Sequence, residues 1–464
     1  MEYSPQFKRV PEMKRTRLLA PGALTAALLL APLAALHAAE EPAAAGKPNI
    51  ICVLVDDYGI NGMGCYGGSY KTPRLDAMAA EGVRFDHCYT SPWCAPSRAA
   101  LLMGRYAFRT GVNANGGPGP HIAVPPREIC FANVLKKAGY ATAVAGKWSH
   151  LKHMGSRQEG LDWGFDEFLV WMGAPKIPRY WNPAFSLNGQ RMTNVEDKFG
   201  PDLLQEFVLD FIRRNKDRPF AVYYPMVSVH SPLGRTPDSV DDTDTKNYLA
   251  DNIAYMDKLV GKLLDELDRL KLREKTLVVF MGDNGMGGRI NGREIPGKKG
   301  RLSEGGCRVP FIANWKGTVP AGRVCSDLVD FTDFLPTFAD VAGAKLPADR
   351  KFDGRSFAPQ LRGEAGTPRD WVYVQSGQDR FLRDRRWKLT GDGALFDMRK
   401  APFQEIPVPA GSEDAEALAG RKKLQAVMDD LRAQDEWAEK DSPAQEKQVK
   451  PAKGKAKATS ESEE

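Results

Sequence analysis

Four polar strings in this 464-residue chain sit where chemistry is commonly found, just past short apolar runs. Asp56-Asp57 follows the run Asn49–Val55, and Lys147 follows Gly146 after Ala141–Ala145. His230 lies four residues beyond Pro219–Met226, and Gly282-Asp283-Asn284-Gly285 follows Thr276–Met281. If those runs are strands of a parallel sheet, ligands bind beyond their carboxyl ends. Each string alone also has a plain structural reading. Asp-Asp near a glycine is turn chemistry, a lysine after a strand is often a solvated face, and a histidine before Ser-Pro is an ordinary loop residue. Four strand ends at once favour a site. Asp56, Asp57, Asp283 and Asn284 offer only oxygen, which suits Ca²⁺ or Mg²⁺ rather than zinc. Three carboxylates gathered without a cation would repel one another, so a metal is expected wherever the fold collects them.

A fifth string, Cys94-Ala-Pro96-Ser-Arg98, has proline in what reads as a first helical turn. That puts Cys94 at or just before a helix N-terminus, where free N–H groups and the helix dipole favour an anion. Its structural alternative is an ordinary cysteine at a helix start.

The elements that must position these residues follow from periodicity. Helices are expected over Thr72–Gly82 (a Thr cap, Pro in the first turn and Gly past the end), Phe131–Ala138, Pro201–Asn215 and Lys246–Leu270. The last carries Ile253, Met256, Leu259, Val260, Leu263, Leu264 and Leu267 on one face. Strands alternating with helices predict an α/β fold, a large mostly parallel sheet sandwiched by helices. After residue 345 the pattern changes. Trp371–Gln375, Trp387–Thr390 and Ala394–Phe396 read as short antiparallel strands and Ala415–Leu431 as a helix, a smaller C-terminal α+β subdomain. The expected division is 1–39 signal peptide, 40–345 catalytic domain, 346–438 C-terminal subdomain and 439–464 tail. That tail has almost no aliphatic residues and is expected to be disordered.

Composition is that of a globular protein, 42% apolar and 27% charged, which excludes collagen, coiled coil and membrane bundle. The formal charge of +6 shrinks by half once residues 1–39 are set aside, so nothing argues for nucleic acid. Lys14, Arg15 and Arg17 precede an apolar stretch, Leu18–Leu36, that closes on His37-Ala38-Ala39. A basic start, an apolar middle and a small-residue exit make a secretory signal. A retained anchor is the alternative, but Pro21, Gly22 and Pro32 interrupt the run. Export to the periplasm or beyond, with no membrane span after cleavage, is therefore expected. Translation starts at Met1 or Met13. The seven cysteines, an odd number with no C-x-x-C pair, leave at least one thiol unpaired.

Taken together, the motifs resemble those of the formylglycine-dependent sulfatases, arylsulfatase-like members of the alkaline phosphatase superfamily. Cys94-Ala-Pro-Ser-Arg98 matches their Cys-x-Pro-Ser-Arg modification motif. Asp56-Asp57-Tyr-Gly59, Gly64-Cys-Tyr-Gly67 and Thr72-Pro-Arg-Leu75 are similar to their first block. Gly282-Asp283-Asn284-Gly285, Lys299-Gly300, Glu304-Gly-Gly306 and Arg308-Val-Pro310 are similar to a later one, and Trp387-Lys-Leu389 and Leu395-Phe-Asp397 to the C-terminal subdomain. The resemblance, which spans roughly Lys47–Leu431, implies sulfate-ester hydrolysis. A formylglycine-generating enzyme would oxidise Cys94 to an aldehyde that hydrates to a gem-diol. One diol oxygen attacks sulfur and the alcohol leaves; the second hydroxyl then loses its proton and expels sulfate by breaking C–O as the aldehyde re-forms, so one hard step becomes two easier ones. By the same resemblance Asp56, Asp57, residue 94, Asp283 and Asn284 would hold one Ca²⁺. Arg98 would orient the diol, Lys147 and Lys299 would clamp sulfate, and His230 would protonate the leaving oxygen.

Two positions depart from the family pattern. Gly146-Lys147-Trp-Ser-His150 carries its histidine one place late, which assigns the base for sulfate release to His150 with His153 as the alternative. Met103 stands where Thr or Ser is common. A sulfated glycan or small molecule is the expected partner. The rivals are a phosphate or phosphonate monoester hydrolase on the same scaffold and a non-catalytic binding homologue. Trp171, Tyr180, Trp181 and Phe185 offer a sugar platform or loop packing, and Arg380, Arg383, Arg385 and Arg386 a polyanion contact or a solvated face.

Overall fold

A computed structural model describes residues 46–115, 127–148, 154–171, 173, 177–240 and 248–434. The expected signal peptide and acidic-basic tail lie outside these, as do His150 and His153.

The frame of the molecule is set by β1 (Asn49–Val55), whose seven residues are all buried. A strand apolar on both faces belongs in the middle of a parallel sheet. Among the described residues the other strands of its sheet are β2 (Val83–Tyr89), β3 (Ala141–Lys147), β4 (Glu167–Trp171), β5 (Phe185–Leu187), β6 (Gln190–Arg191) and β7 (Phe220–Met226). β8 (Thr276–Gly282) completes the first part. A two-stranded ribbon, β9 (Gly288–Ile290) and β10 (Arg293–Ile295), then precedes β11 (Arg308–Asn314) and β12 (Arg323–Asp330). The large sheet runs β12-β2-β11-β8-β1-β7-β3-β4-β5-β6.

Its centre, β8-β1-β7-β3-β4, is parallel throughout. β11 runs antiparallel to both β8 and β2, and β5 and β6 are antiparallel at the far edge, so the sheet as a whole is mixed. Side-chain alternation assigns the faces. Ile50, Cys52 and Leu54 pack with Leu101 and Leu102 of the helix Cys94–Met103, with Phe131 and Leu135, and with Phe334 and Phe338. Ile51, Val53 and Val55 pack with Leu204, Phe207 and Phe211 of the helix Gly200–Asn215 and with Ile253, Met256, Leu259 and Leu263 of the helix Tyr248–Arg269. Each fully buried aliphatic side chain contributes about 1.5–3 kcal/mol. The helix registers are thus fixed by the same residues that mark them in the sequence.

The C-terminal strands β13 (Val372–Ser376), β14 (Asp379–Arg383), β15 (Trp387–Thr390), β16 (Leu395–Asp397) and β17 (Ile406–Val408) form a separate antiparallel sheet. The helix Ala415–Ala433 covers it through Leu424, Met428 and Leu431. A buried ionic cluster ties this sheet to the larger part. Arg383 pairs with Glu304 and reaches the Tyr89 hydroxyl, while Arg308 lies 3.3 Å from Glu304. None of the seven cysteines is paired.

Candidate active site

Strands β8, β1, β7 and β3 are consecutive neighbours in the sheet, so their carboxyl ends lie side by side. This is why four separate polar strings converge. In register, Val55 stands beside Met226 and Gly282, which places Asp56-Asp57, Val227–His230 and Asp283-Asn284 along one rim. Backbone bonds lock the turns together. Asp56 N–H donates to the Ser228 carbonyl at 2.9 Å, Val229 N–H to the Asp56 carbonyl at 3.0 Å, and Asp283 N–H to the Val55 carbonyl at 2.9 Å. Asp57 has a left-handed backbone (φ 61°), a conformation that Asp tolerates better than most residues, and its N–H donates to Asp283 Oδ1 at 2.9 Å.

Cys94 opens its helix and is 1% exposed. Its Sγ lies 3.3 Å from Asn284 Oδ1, 3.5 Å from Asp56 Oδ1 and 3.8 Å from Asp57 Oδ1. One turn on, Arg98 donates to Asp283 Oδ2 at 3.0 and 2.8 Å and to the Lys147 carbonyl at 3.3 Å. Lys147 Nζ bridges both oxygens of Asp56 at 2.7 Å. Lys299 reaches Asp57 Oδ1 from the loop after β10, and His230 Nε2 lies 3.7 Å from Asp57 Oδ2. The structure therefore brings together every described residue singled out above: Asp56, Asp57, Cys94, Arg98, Lys147, His230, Asp283, Asn284 and Lys299.

Electrostatics separate the roles open to these groups. Burial would raise the Asp56 pKa, but Lys147, Arg98 and His230 hold it well below the ordinary carboxylate range. Burial pushes Asp283 up to about 6, with Arg98 opposing and Asp56 adding to the rise. Burial also lowers His230 against the pull of Asp56. Cys94 goes the wrong way for a thiolate nucleophile, because burial and then Asp283 and Asp56 push its thiol up. Reactive cysteines sit in electropositive, partly open surroundings with depressed pKa values. A thiol sealed against three oxygen-bearing side chains is not activated as it stands.

Part of this cluster could hold a metal ion. Asp56, Asp57, Cys94 and His230 each offer a ligand atom within 4.8 Å of the others, and Asn284 adds an amide oxygen against the same sulfur. Asp283, beside them on the same rim, accepts from Arg98 at Oδ2 and from the Asp57 N–H at Oδ1.

Two residues that sequence reasoning passed over also reach this centre. Asn115 Oδ1 accepts from Ala95 N–H at 2.9 Å and so caps the Cys94 helix, whose own N-cap residue, Trp93, supplies no side-chain bond. Arg179 Nη1 lies 3.7 Å from Asp56 Oδ2. Neither has a local signal, since Asn115 is twenty residues from its partner and Arg179 is a loop cation with no motif around it. Three of the four aromatics offered as a sugar platform read as packing, while Trp181 is exposed. Trp171, Tyr180 and Phe185 are buried, and Trp181 leans on Phe199. In the arginine cluster Arg383 is buried on Glu304, while Arg385 and Arg386 pair with Asp327 and Glu416.

Comparison with known proteins agrees with this geometry. A family model described as Sulfatase matches residues 48–344. The chain is 35% identical over 387 residues to the N-acetylgalactosamine-6-sulfatase of Canis lupus familiaris, covering 75% of this chain and 72% of that protein. It is 32% identical over 445 residues to the steryl-sulfatase of Mus musculus, covering 74% and 70%. Among solved structures, that of Ps i-CgsB in complex with k-i-k-neocarrahexaose superposes with a TM-score of 0.72 at 26% identity, covering 86% of this chain and 98% of that one.

Proposed function

Because this chain belongs to the formylglycine-dependent sulfatase family and is a sulfuric ester hydrolase, we propose that it removes sulfate from a sulfated carbohydrate through an aldehyde made from Cys94. The observation that carries this reading is the setting of the Cys94 sulfur, 3.3–3.8 Å from three oxygen-bearing side chains and with its thiol pKa raised. Such a thiol is a poor nucleophile, whereas a hydrated aldehyde at the same place presents oxygen to sulfur. A bound Ca²⁺, held by Asp56, Asp57, residue 94, Asn284 and Asp283, would supply Lewis acidity there.

The remaining work belongs to side chains of this chain. Arg98, fixed on Asp283, orients residue 94 from one helical turn away. Lys147, held on Asp56, and Lys299, held on Asp57, stabilise charge on the sulfuryl oxygens. His230, one quarter exposed at the rim, is placed to give a proton to the departing alcohol oxygen. Carbohydrate is favoured over other alcohols by the similarity to an N-acetylgalactosamine-6-sulfatase and to a structure holding neocarrahexaose. Export is supported by the basic and apolar order of Lys14–Leu36, and a formylglycine-generating enzyme is the implied partner. No helix among the described residues is long and apolar enough to cross a membrane.

The test is mass spectrometry of the Cys94 peptide from the native host, paired with hydrolysis of matched sulfate and phosphate esters of N-acetylgalactosamine. The expected result is the aldehyde mass and preference for sulfate, lost on chelation and restored by Ca²⁺. An unmodified thiol throughout, or preference for phosphate, overturns the proposal.

A further inference from the structure

Arg179 is a buried cation that nothing in the machinery above uses. It follows β4 in the loop Ile177-Pro-Arg-Tyr-Trp181 and is 7% exposed. Its guanidinium lies 4.1 Å over the Trp171 ring, and its Nη1 is buried yet has no acceptor among the described residues. The separation of 3.7 Å from Asp56 Oδ2 is too long for one. Both Asp56 oxygens are already held by Lys147 at 2.7 Å. If Arg179 served only to neutralise Asp56, a direct bidentate contact would be the expected geometry.

The loop is braced so that this arginine stays aimed. The Tyr180 hydroxyl donates to the His230 carbonyl at 2.9 Å and lies 3.2 Å from that of Val227. Trp181 Nε1 donates to the Arg235 carbonyl at 2.8 Å, and Trp171 Nε1 to the Ile177 carbonyl at 3.2 Å. Arg179 is therefore fastened to the segment that carries His230. A charged donor kept buried without an acceptor is costly unless something arrives to accept from it. The group best matched to a planar guanidinium fork is an oxyanion with several oxygens. Arg98, Lys147, Lys299 and Arg179 also outnumber the carboxylates Asp56, Asp57 and Asp283 at this centre, so the site attracts an anion.

We propose that Arg179 is a substrate-binding residue that donates from Nη1 to an oxygen of the sulfuryl group, beside Lys147 and on the His230 side. This rests on the sulfatase reading and deepens it, making sulfate recognition depend on a residue outside the recognised motifs.

The test uses full-length Cys94→Ser protein, which cannot turn over, titrated calorimetrically with inorganic sulfate in Ca²⁺ buffer. R179M and R179K are compared with the parent, each checked by thermal unfolding. Loss of one charge-assisted hydrogen bond predicts about 10- to 100-fold weaker sulfate binding in R179M. R179K, which keeps the charge and loses the fork, falls between. In otherwise unaltered, aldehyde-bearing enzyme the same substitutions raise KM for a sulfate ester. Sulfate binding by a folded R179M equal to that of the parent overturns the assignment and leaves the sulfatase reading intact. If the Cys94→Ser parent does not bind sulfate and the aldehyde-bearing enzyme does not hydrolyse sulfate esters, both readings are overturned.

Discussion

Replacing Gly146 with alanine tests whether the site depends on how closely its strands approach. Gly146 precedes Lys147 in β3 and has φ 130°, a backbone region that side chains avoid. A Cβ built there would lie 1.8 Å from the Pro225 carbonyl oxygen and 2.7 Å from its carbon. That is roughly 1.5 Å short of a close C···O contact. Pro225 has little room to retreat, because β7 is paired with β1 on its other side, Leu54 beside Pro225. The strain of the φ value costs about 1–3 kcal/mol and overpacking adds about 1–3 kcal/mol, giving a loss of roughly 2–6 kcal/mol. The displacement falls on Lys147, whose 2.7 Å bonds to Asp56 leave no slack. A 1 Å misplacement in such a centre lowers turnover by about 100-fold. Gly139 is the control. It also has a positive φ, 89°, but its Cβ would meet nothing within 4 Å, so alanine there costs only about 1–2 kcal/mol of backbone strain and spares activity. Denaturant unfolding and hydrolysis of a chromogenic sulfate ester read the two effects separately. If G146A matches G139A in both, the close approach of β3 to β7 does not position Lys147 and the reasoning fails.

Two further outcomes follow from buried charge. Arg98→Met strands Asp283 in the interior and should cost about 3–5 kcal/mol, whereas adding Asp283→Asn should recover most of it; a double variant no more stable than R98M counts against the pairing. His87 is held neutral by burial and by Arg308 and Arg383, its pKa driven down to about 3 against an ordinary 6.5. The unfolded chain binds that proton more readily, so stability is complete above pH 6.5 and drains away as pH falls toward 3. His87→Gln should flatten this acid limb while matching the parent at pH 8, and melting curves that stay parallel from pH 8 to pH 4 would show that His87 carries none of the acid sensitivity.

How much of this was legible in the sequence depends on whether a signal is local. The apolar run before Asp56-Asp57 and the one before Asp283-Asn284 announce both strand and rim in adjacent residues, and the helices Gly200–Asn215 and Tyr248–Arg269 carry their buried faces in their spacing. β2 and β12 were hidden because Arg84, Asp86 and His87, or Arg323, Ser326 and Asp327, break up their apolar content. β12 is an edge strand and β2 lies next to it, and both mix half-buried or exposed polar residues with buried apolar ones instead of running apolar like the centre. β11 looked like motif, and its antiparallel course is set by its neighbours β8 and β2. Arg179 and Asn115 matter only through what the fold brings near them.

What turns separate signals into one site is the register of neighbouring strands. In chain order the contributors are β1, β3, β7 and β8, yet in space they run β8-β1-β7-β3, with Val55 level with both Met226 and Gly282. A strand advances about 3.3 Å per residue, so a two-residue slip of β8 would keep every side chain on its proper face while carrying Asp283 roughly 6.6 Å along the rim. Its 2.8 Å bond to Arg98 would be gone, although the apolar pattern would be satisfied equally well. Hydrophobic burial alone therefore cannot choose the working register from the slipped one. Gly282 supplies the missing choice. A Cβ there would lie 1.8 Å from the Tyr58 carbonyl oxygen, so glycine must stand where β8 passes beneath the Asp56-Asp57 turn. A slip would put Phe280 or Asn284 in that gap, and neither fits. The glycine before the metal-site pair thus sets the register that the apolar residues leave open.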